Sequence, residues 1–203
     1  MREYQHPGYA LASRPYAEAV RCKDRFARRP SRNTYTVDDR QRQLLERIDR
    51  AFAGVELGDG VSLHETYVVD AYGTAEERRA AREPDEKHDW HRLINDPDLP
   101  VYLGIGYGGL SFLDAAGVRF HLPACLSRVV RDPEDERIGN LTESLCYLLT
   151  SPSEYNADRL AILTDDQRAC VRDVLVYFRE AMVYDGEELD QAIDGYWSRP
   201  AAG

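Results

Sequence analysis

Helix-capping boxes recur along this chain and constrain its fold more tightly than any other feature. Ser62-Leu-His-Glu65, Thr74-Ala-Glu-Glu77 and Thr164-Asp-Asp-Gln167 each set a hydroxyl three residues before a Glu or Gln. At that spacing the hydroxyl accepts from the third amide of a helix while the longer side chain reaches back to the capping residue's own amide. Two of the four amides that a helix start leaves unpaired are thereby satisfied. Thr36 with Asp39 is a weaker version, with Asp in place of Glu or Gln.

Apolar residues repeat at helical spacing behind these starts. Leu44, Ile48 and Phe52 fall at i, i+4 and i+8, and Gly54, Gly58 and Gly60 end that segment. Ser62 opens a short helix that Gly73 closes, and the polar helix beginning at Thr74 breaks or kinks at Pro84. Trp90, Leu93 and Ile94 form the stripe of its continuation. Leu141, Leu145, Leu148 and Leu149 mark a further face. Val171, Val174, Leu175, Phe178 and Met182 give the clearest amphipathic pattern, and Leu189, Ile193 and Trp197 the last.

One stretch reads differently. "GLSFL" and "VRFHL" flank "DAAG" and predict an antiparallel hairpin, with Asp114 and Gly117 shaping its turn. In the second strand Arg119 and His121 alternate with Val118, Phe120 and Leu122, so both face away from the apolar set. Phe112, Phe120 and Leu122 are assigned to the core. Pro123 cannot donate to a ladder and is expected in the first turn of the next helix. "RLAIL" at 159–163 is a candidate third strand. The expected architecture is helix-dominated α+β, with about six to eight helices around a small antiparallel hairpin or three-stranded sheet. The repeated strand–helix alternation of doubly wound and barrel enzymes is missing.

Charge divides the chain. Residues 1–42 hold ten Lys and Arg against five Asp and Glu, a balance of +5, while the rest carries −15 of the total −10. A basic arm is therefore read over 1–34, punctuated by Pro7, Pro15 and Pro30 and with one helical candidate from Tyr16 to Phe26. A single acidic globular domain follows over 35–199. An acidic body repels nucleic acid and favours basic partners. No apolar run approaches the roughly 18 residues of a membrane span, and the N-terminus has no apolar signal region. The expected compartment is the cytoplasm. Cys22, Cys125, Cys146 and Cys170 form no Cys-x-x-Cys pair and are read as reduced residues, the last three in the core.

Two constellations are candidates for chemistry. In "DEKHDWH" (85–91), Asp85, His88 and His91 step by three, and two histidines with a carboxylate suit a divalent metal. A charged helix face anchored by Trp90 is the competing reading, since a step of three drifts about 60° round a helix. Arg119 and His121, with Trp90, form a candidate anion pocket, or else pair with acidic helices of the same domain. "GIGYGG" (104–109) lacks the preceding strand and following helix of a phosphate loop. No catalytic residue is assigned, and the sequence requires no cofactor.

"LSFLDAAGVRFHLPACL" (110–126) resembles the signature of a bacterial family, the domain-of-unknown-function family 6714. Residues 47–83 with Trp90 downstream, "LAILTDDQRACVRDVLVYF" (160–178) and "AIDGYW" (192–197) are similar to it in the same order. The matching pieces span nearly all of residues 44–197, and the basic arm lies outside them. The resemblance implies a small intracellular bacterial protein with no assigned activity. It also implies an aromatic residue at each of positions 121 and 125, which argues against His121 or Cys125 as a shared catalytic group.

Two functions follow from these readings. The first is a non-catalytic protein-interaction module of immunity or antitoxin type, acting on a basic protein. The alternative is a metal-dependent or small-molecule enzyme using Asp85, His88, His91, Arg119 and His121.

Overall fold

The computed structural model describes residues 38–104, 109–151, 153–181, 183–184 and 186–199. The arm over 1–34 with its helical candidate, Cys22, Thr36, residues 105–108 of the glycine loop and Met182 lie outside the described residues.

Nine α-helices run through the described residues. They are α1 Asp39–Ala51, α2 Glu65–Asp70, α3 Ala75–Arg82, α4 Leu99–Leu103, α5 Ala115–Arg131, α6 Gly139–Thr150, α7 Glu154–Leu160, α8 Asp165–Glu180 and α9 Glu187–Gln191. Single tight turns lie at Trp90–Leu93, Leu110–Phe112 and Glu136–Ile138, and a π-helical turn at Ala192–Tyr196 continues α9. Helix α5 is the axis of the fold. It packs against α1, α6, α7 and the Trp90–Leu93 turn, while α8 lies on α1 and α9 on α6.

No strand occurs among the described residues, so the expected hairpin and sheet are wrong and the fold is all-helical. The hairpin turn is a helix cap: Asp114 accepts from the amide of Gly117 at 2.7 Å and starts α5. The supposed second strand is the first half of α5. Twelve of its 17 residues are buried, on every side of the helix, so no polar face marks a 3.6-residue period. Five residues that happen to alternate were then read as a strand. Pro123 lies inside this helix, not in its first turn, and its missing amide leaves the Arg119 carbonyl without the usual donor. The supposed third strand is also helical: Arg159 and Leu160 end α7, and Ala161 to Leu163 form a turn.

The capping boxes of Thr74 and Thr164 form as the sequence predicts. At α1 the box sits elsewhere, on Asp38 and Gln41, with reciprocal bonds of 2.7 and 2.8 Å. Around Ser62 only half of it forms. The Glu65 carboxylate accepts from the Ser62 amide at 3.1 Å, but His64 holds the cap position of α2 and the Ser62 hydroxyl has no partner.

Among the described residues the apolar stripes read from the sequence enter the core, including Leu44, Ile48 and Phe52 and, near the C-terminus, Leu189, Ile193 and Trp197. Phe120 and Leu122 are fully buried, whereas Phe112 is only half-buried. Each buried indole finds a carbonyl: Trp90 donates to Phe52 at 3.0 Å and Trp197 to Leu149 at 2.8 Å. No helix among the described residues is long and apolar enough to cross a membrane.

Candidate functional site

Buried polar groups gather around the loop 58–64, between α1 and α2. Two glycines allow that loop to lie on the first turn of α5. A Cβ on Gly60 would stand 2.7 Å from the Gly117 amide nitrogen, and one on Gly117 would stand 2.6 Å from the Val61 carbonyl oxygen. The close approach lets the Val61 amide donate to Asp114 at 3.0 Å. Helix α3 ties the other side. Arg82 donates to the carbonyls of Gly58 and Gly60, and Arg78 presents Nε and Nη2 to one Glu65 oxygen at 3.0 and 2.8 Å. Glu65 is 6% exposed, so its charge depends on these arginines and on the Ser62 amide.

His64 occupies the centre of this region. Asp85, buried just after α3, accepts from His64 Nδ1 at 2.5 Å on one oxygen and from the His64 amide at 3.0 Å on the other. Asp98, which begins α4, lies 3.3 Å from Nε2, and Tyr102 meets the ring edge-on with centroids 4.3 Å apart. Partial burial lowers the imidazole pKa, but the bonds and charges of Asp85 and then Asp98 outweigh it, and the net shift is upward from 6.5. Protonated, the ring donates from both nitrogens and joins three segments that are distant in sequence. A general base needs a free lone pair, and the two carboxylates beside this ring strengthen its hold on its proton. The arrangement is an electrostatic clasp.

The sequence-derived candidates have separate fates. Asp85 faces His64. His88 is an exposed side chain whose Nδ1 stands 3.6 Å from Glu56. His91 stacks on Trp90 at 3.7 Å and lies between Asp89, 2.7 Å from Nδ1, and Asp49, 2.6 Å from Nε2. The shared helix face on which that trio was drawn does not form, because α3 ends at Arg82 and the next turn begins only at Trp90. Among the described residues no group of three His, Cys, Asp or Glu is placed to hold a metal.

Arg119 and His121 do not share a face either. Two residues apart, they would share one on a strand; on α5 they are turned about 200° from each other. His121 is fully buried, the opposite of the outward position expected for it. Its Nδ1–H donates to the Gly117 carbonyl at 2.7 Å, and Nε2 has no partner. Burial pushes this imidazole down to about 4, so it is neutral. Trp90 is buried beneath α5 with its indole engaged. Burial also raises the thiols, with Cys125 and Cys170 each pushed up to about 12 and Cys146 higher still. Such thiols are packing residues.

Sequence reasoning missed a groove. It lies between the end of α6, α7 and α9, has a volume of about 340 Å³, and is lined by Leu149, Ala157, Leu160, Ala192 and Tyr196 with Glu188. No local signal marks it, since its walls come from three segments that are separate in sequence.

A family of unknown function (DUF6714) has a model that matches residues 40–201, and the chain belongs to that family. No curated protein and no solved structure matches it.

Proposed function

We propose that this member of a family of unknown function is a non-catalytic interaction module that captures a basic protein, in the manner of an immunity protein or antitoxin. The observation that carries the reading is how the arginines of the body are used. Arg40, Arg47, Arg137 and Arg179 each pair with a carboxylate, to Glu180, Asp173, Asp135 and Asp190. Arg128 donates to the Ile94 carbonyl, Arg159 to those of Leu110 and Leu113, and Arg168 to that of Tyr196. Much of the positive charge is thus engaged within the fold, while Arg50 and Arg131 stay exposed. The carboxylate surplus, with Glu46, Glu56, Glu76, Glu143, Glu154 and Glu188 all exposed, faces solvent. A surface of this kind speeds encounter with a basic partner and repels acidic ones.

The setting proposed for this role is a bacterial cytoplasm, where the buried thiols stay reduced. Affinity capture from the native host is expected to recover a basic protein, and co-expression is expected to suppress that partner's toxicity. Association is expected to slow as ionic strength rises. Capture that is indifferent to salt, or a partner no more basic than the host average, would refute the reading.

A further inference from the structure

We propose that the groove between α6, α7 and α9 is the seat of the basic partner, and that it takes an apolar side chain flanked by Lys or Arg. This rests on the interaction reading above and gives it a place. The cleft exists because small residues face each other across it: Ala157 on α7 and Ala192 after α9 leave space above the buried Leu149 and Leu160. A volume of about 340 Å³ lies at the small end of ligand pockets and suits one or two large apolar side chains.

Three features make the rim attractive to a cation. Glu188 lines the groove, Gln191 holds Glu187 beside it at 2.8 Å, and Glu154 lies one turn ahead of Ala157. Helix α6, 12 residues long, ends at Thr150 in the groove wall and brings the negative end of its dipole there. The arginines of neighbouring helices are turned elsewhere, Arg159 to the carbonyls of Leu110 and Leu113 and Arg179 to Asp190, and among the described residues no Lys or Arg lines the cleft. The far wall is a π-helical turn, an irregularity that costs backbone bonding and is frequent at functional sites. The body of a second copy, at −15, is a poorer match to the same carboxylates than a partner that is basic throughout.

The test uses the full chain and a fluorescein-labelled helical peptide with leucines on one face and Lys and Arg on either side. Binding is read by fluorescence anisotropy at low and moderate salt. The wild-type chain is expected to bind, more weakly as salt rises. Ala157→Trp, which fills the cleft, and Glu188→Lys, which reverses its rim charge, are each expected to weaken binding about tenfold, the effect of losing one close charge pair or anchor. Glu76→Lys makes the same charge change on α3 and is expected to change binding less than about twofold. Circular dichroism confirms that each variant folds, and the surface change Glu188→Lys keeps the test decisive if Ala157→Trp does not.

Equal losses in Glu188→Lys and Glu76→Lys, with Ala157→Trp unaffected, overturn the groove and leave the acidic-surface reading standing. Failure of the wild-type chain to bind the peptide overturns both. A dimer in sedimentation that Ala157→Trp dissolves assigns the groove to a second copy and overturns this proposal too.

Discussion

His64 and His121 both feel the charge of Asp85, yet their protonation is driven in opposite directions. His64 keeps part of its ring in water and has a carboxylate within reach of each nitrogen, so its pKa is raised. His121 is sealed inside α5 with one carbonyl for company, so the proton is lost. The lesson is that direct contact and partial exposure let a carboxylate outweigh burial: Asp85 bonds to the half-buried His64 but reaches the sealed His121 only through space, where burial wins. One site is an electrostatic joint between segments, and the other is a polar side chain kept neutral in a core.

The largest effect is expected where the joint is cut at its buried end. Asp85→Ala removes the acceptor of the His64 ring and amide together and leaves both facing the hole of a side chain that was only 2% exposed. A loss of about 3 kcal/mol is expected, the usual result of breaking one partner out of a buried pair. Urea unfolding measures it. Asp49→Ala, which removes a carboxylate from the exposed His91, is expected to cost less than about 0.5 kcal/mol. Similar costs for the two would mean that burial does not distinguish these histidines.

A second prediction concerns the acid limb of stability. His121 titrates at about 4 in the native chain against about 6.5 when unfolded. Between those values the unfolded chain binds a proton that the folded chain refuses, so stability falls as pH falls. Across that window the loss amounts to about 3 kcal/mol. His121→Met removes it, and also removes the unpaired Nε2, so stability at neutral pH is expected to rise by about 1 kcal/mol. Unfolding curves at a series of pH values decide the matter. An acid limb as steep in the Met variant as in wild type would show that His121 is not its source.

The same contrast explains what could be read from the sequence. Helices with one wet face announced themselves: the Thr74 and Thr164 boxes and the stripe through Val171, Val174 and Phe178 are all found where periodicity puts them. Helix α5 did not, because burial on all sides erases the period that identifies a helix, and Pro123 argued for a boundary inside it. That error carried Arg119 and His121 to the wrong environment. The clasp was illegible for a different reason. Asp85 was noticed as a possible ligand, but its partner His64 was seen only as the interior of a capping box, and Asp98 carried no signal at all. The two carboxylates come from segments 21 and 34 residues away from His64, a tertiary meeting with no local pattern.

The smallest effect is the most informative about sign. His64 has a raised pKa, so the stability it adds is fully present below about 6.5, its unfolded value, and is lost as pH rises through the higher folded value. His64→Gln is therefore expected to lower stability more at mildly acid than at alkaline pH, the reverse of the trend that His121 produces. The pH-dependent part should stay under about 1 kcal/mol, because a side chain that is 30% exposed is screened by solvent. Measured against wild type at matched pH, a gap that widens towards alkaline pH would mean that His64 is held neutral and that Asp98 plays no part in the joint. Asp98→Asn separates the two carboxylates: it should shrink the acid-side advantage without abolishing it, since the buried Asp85 remains.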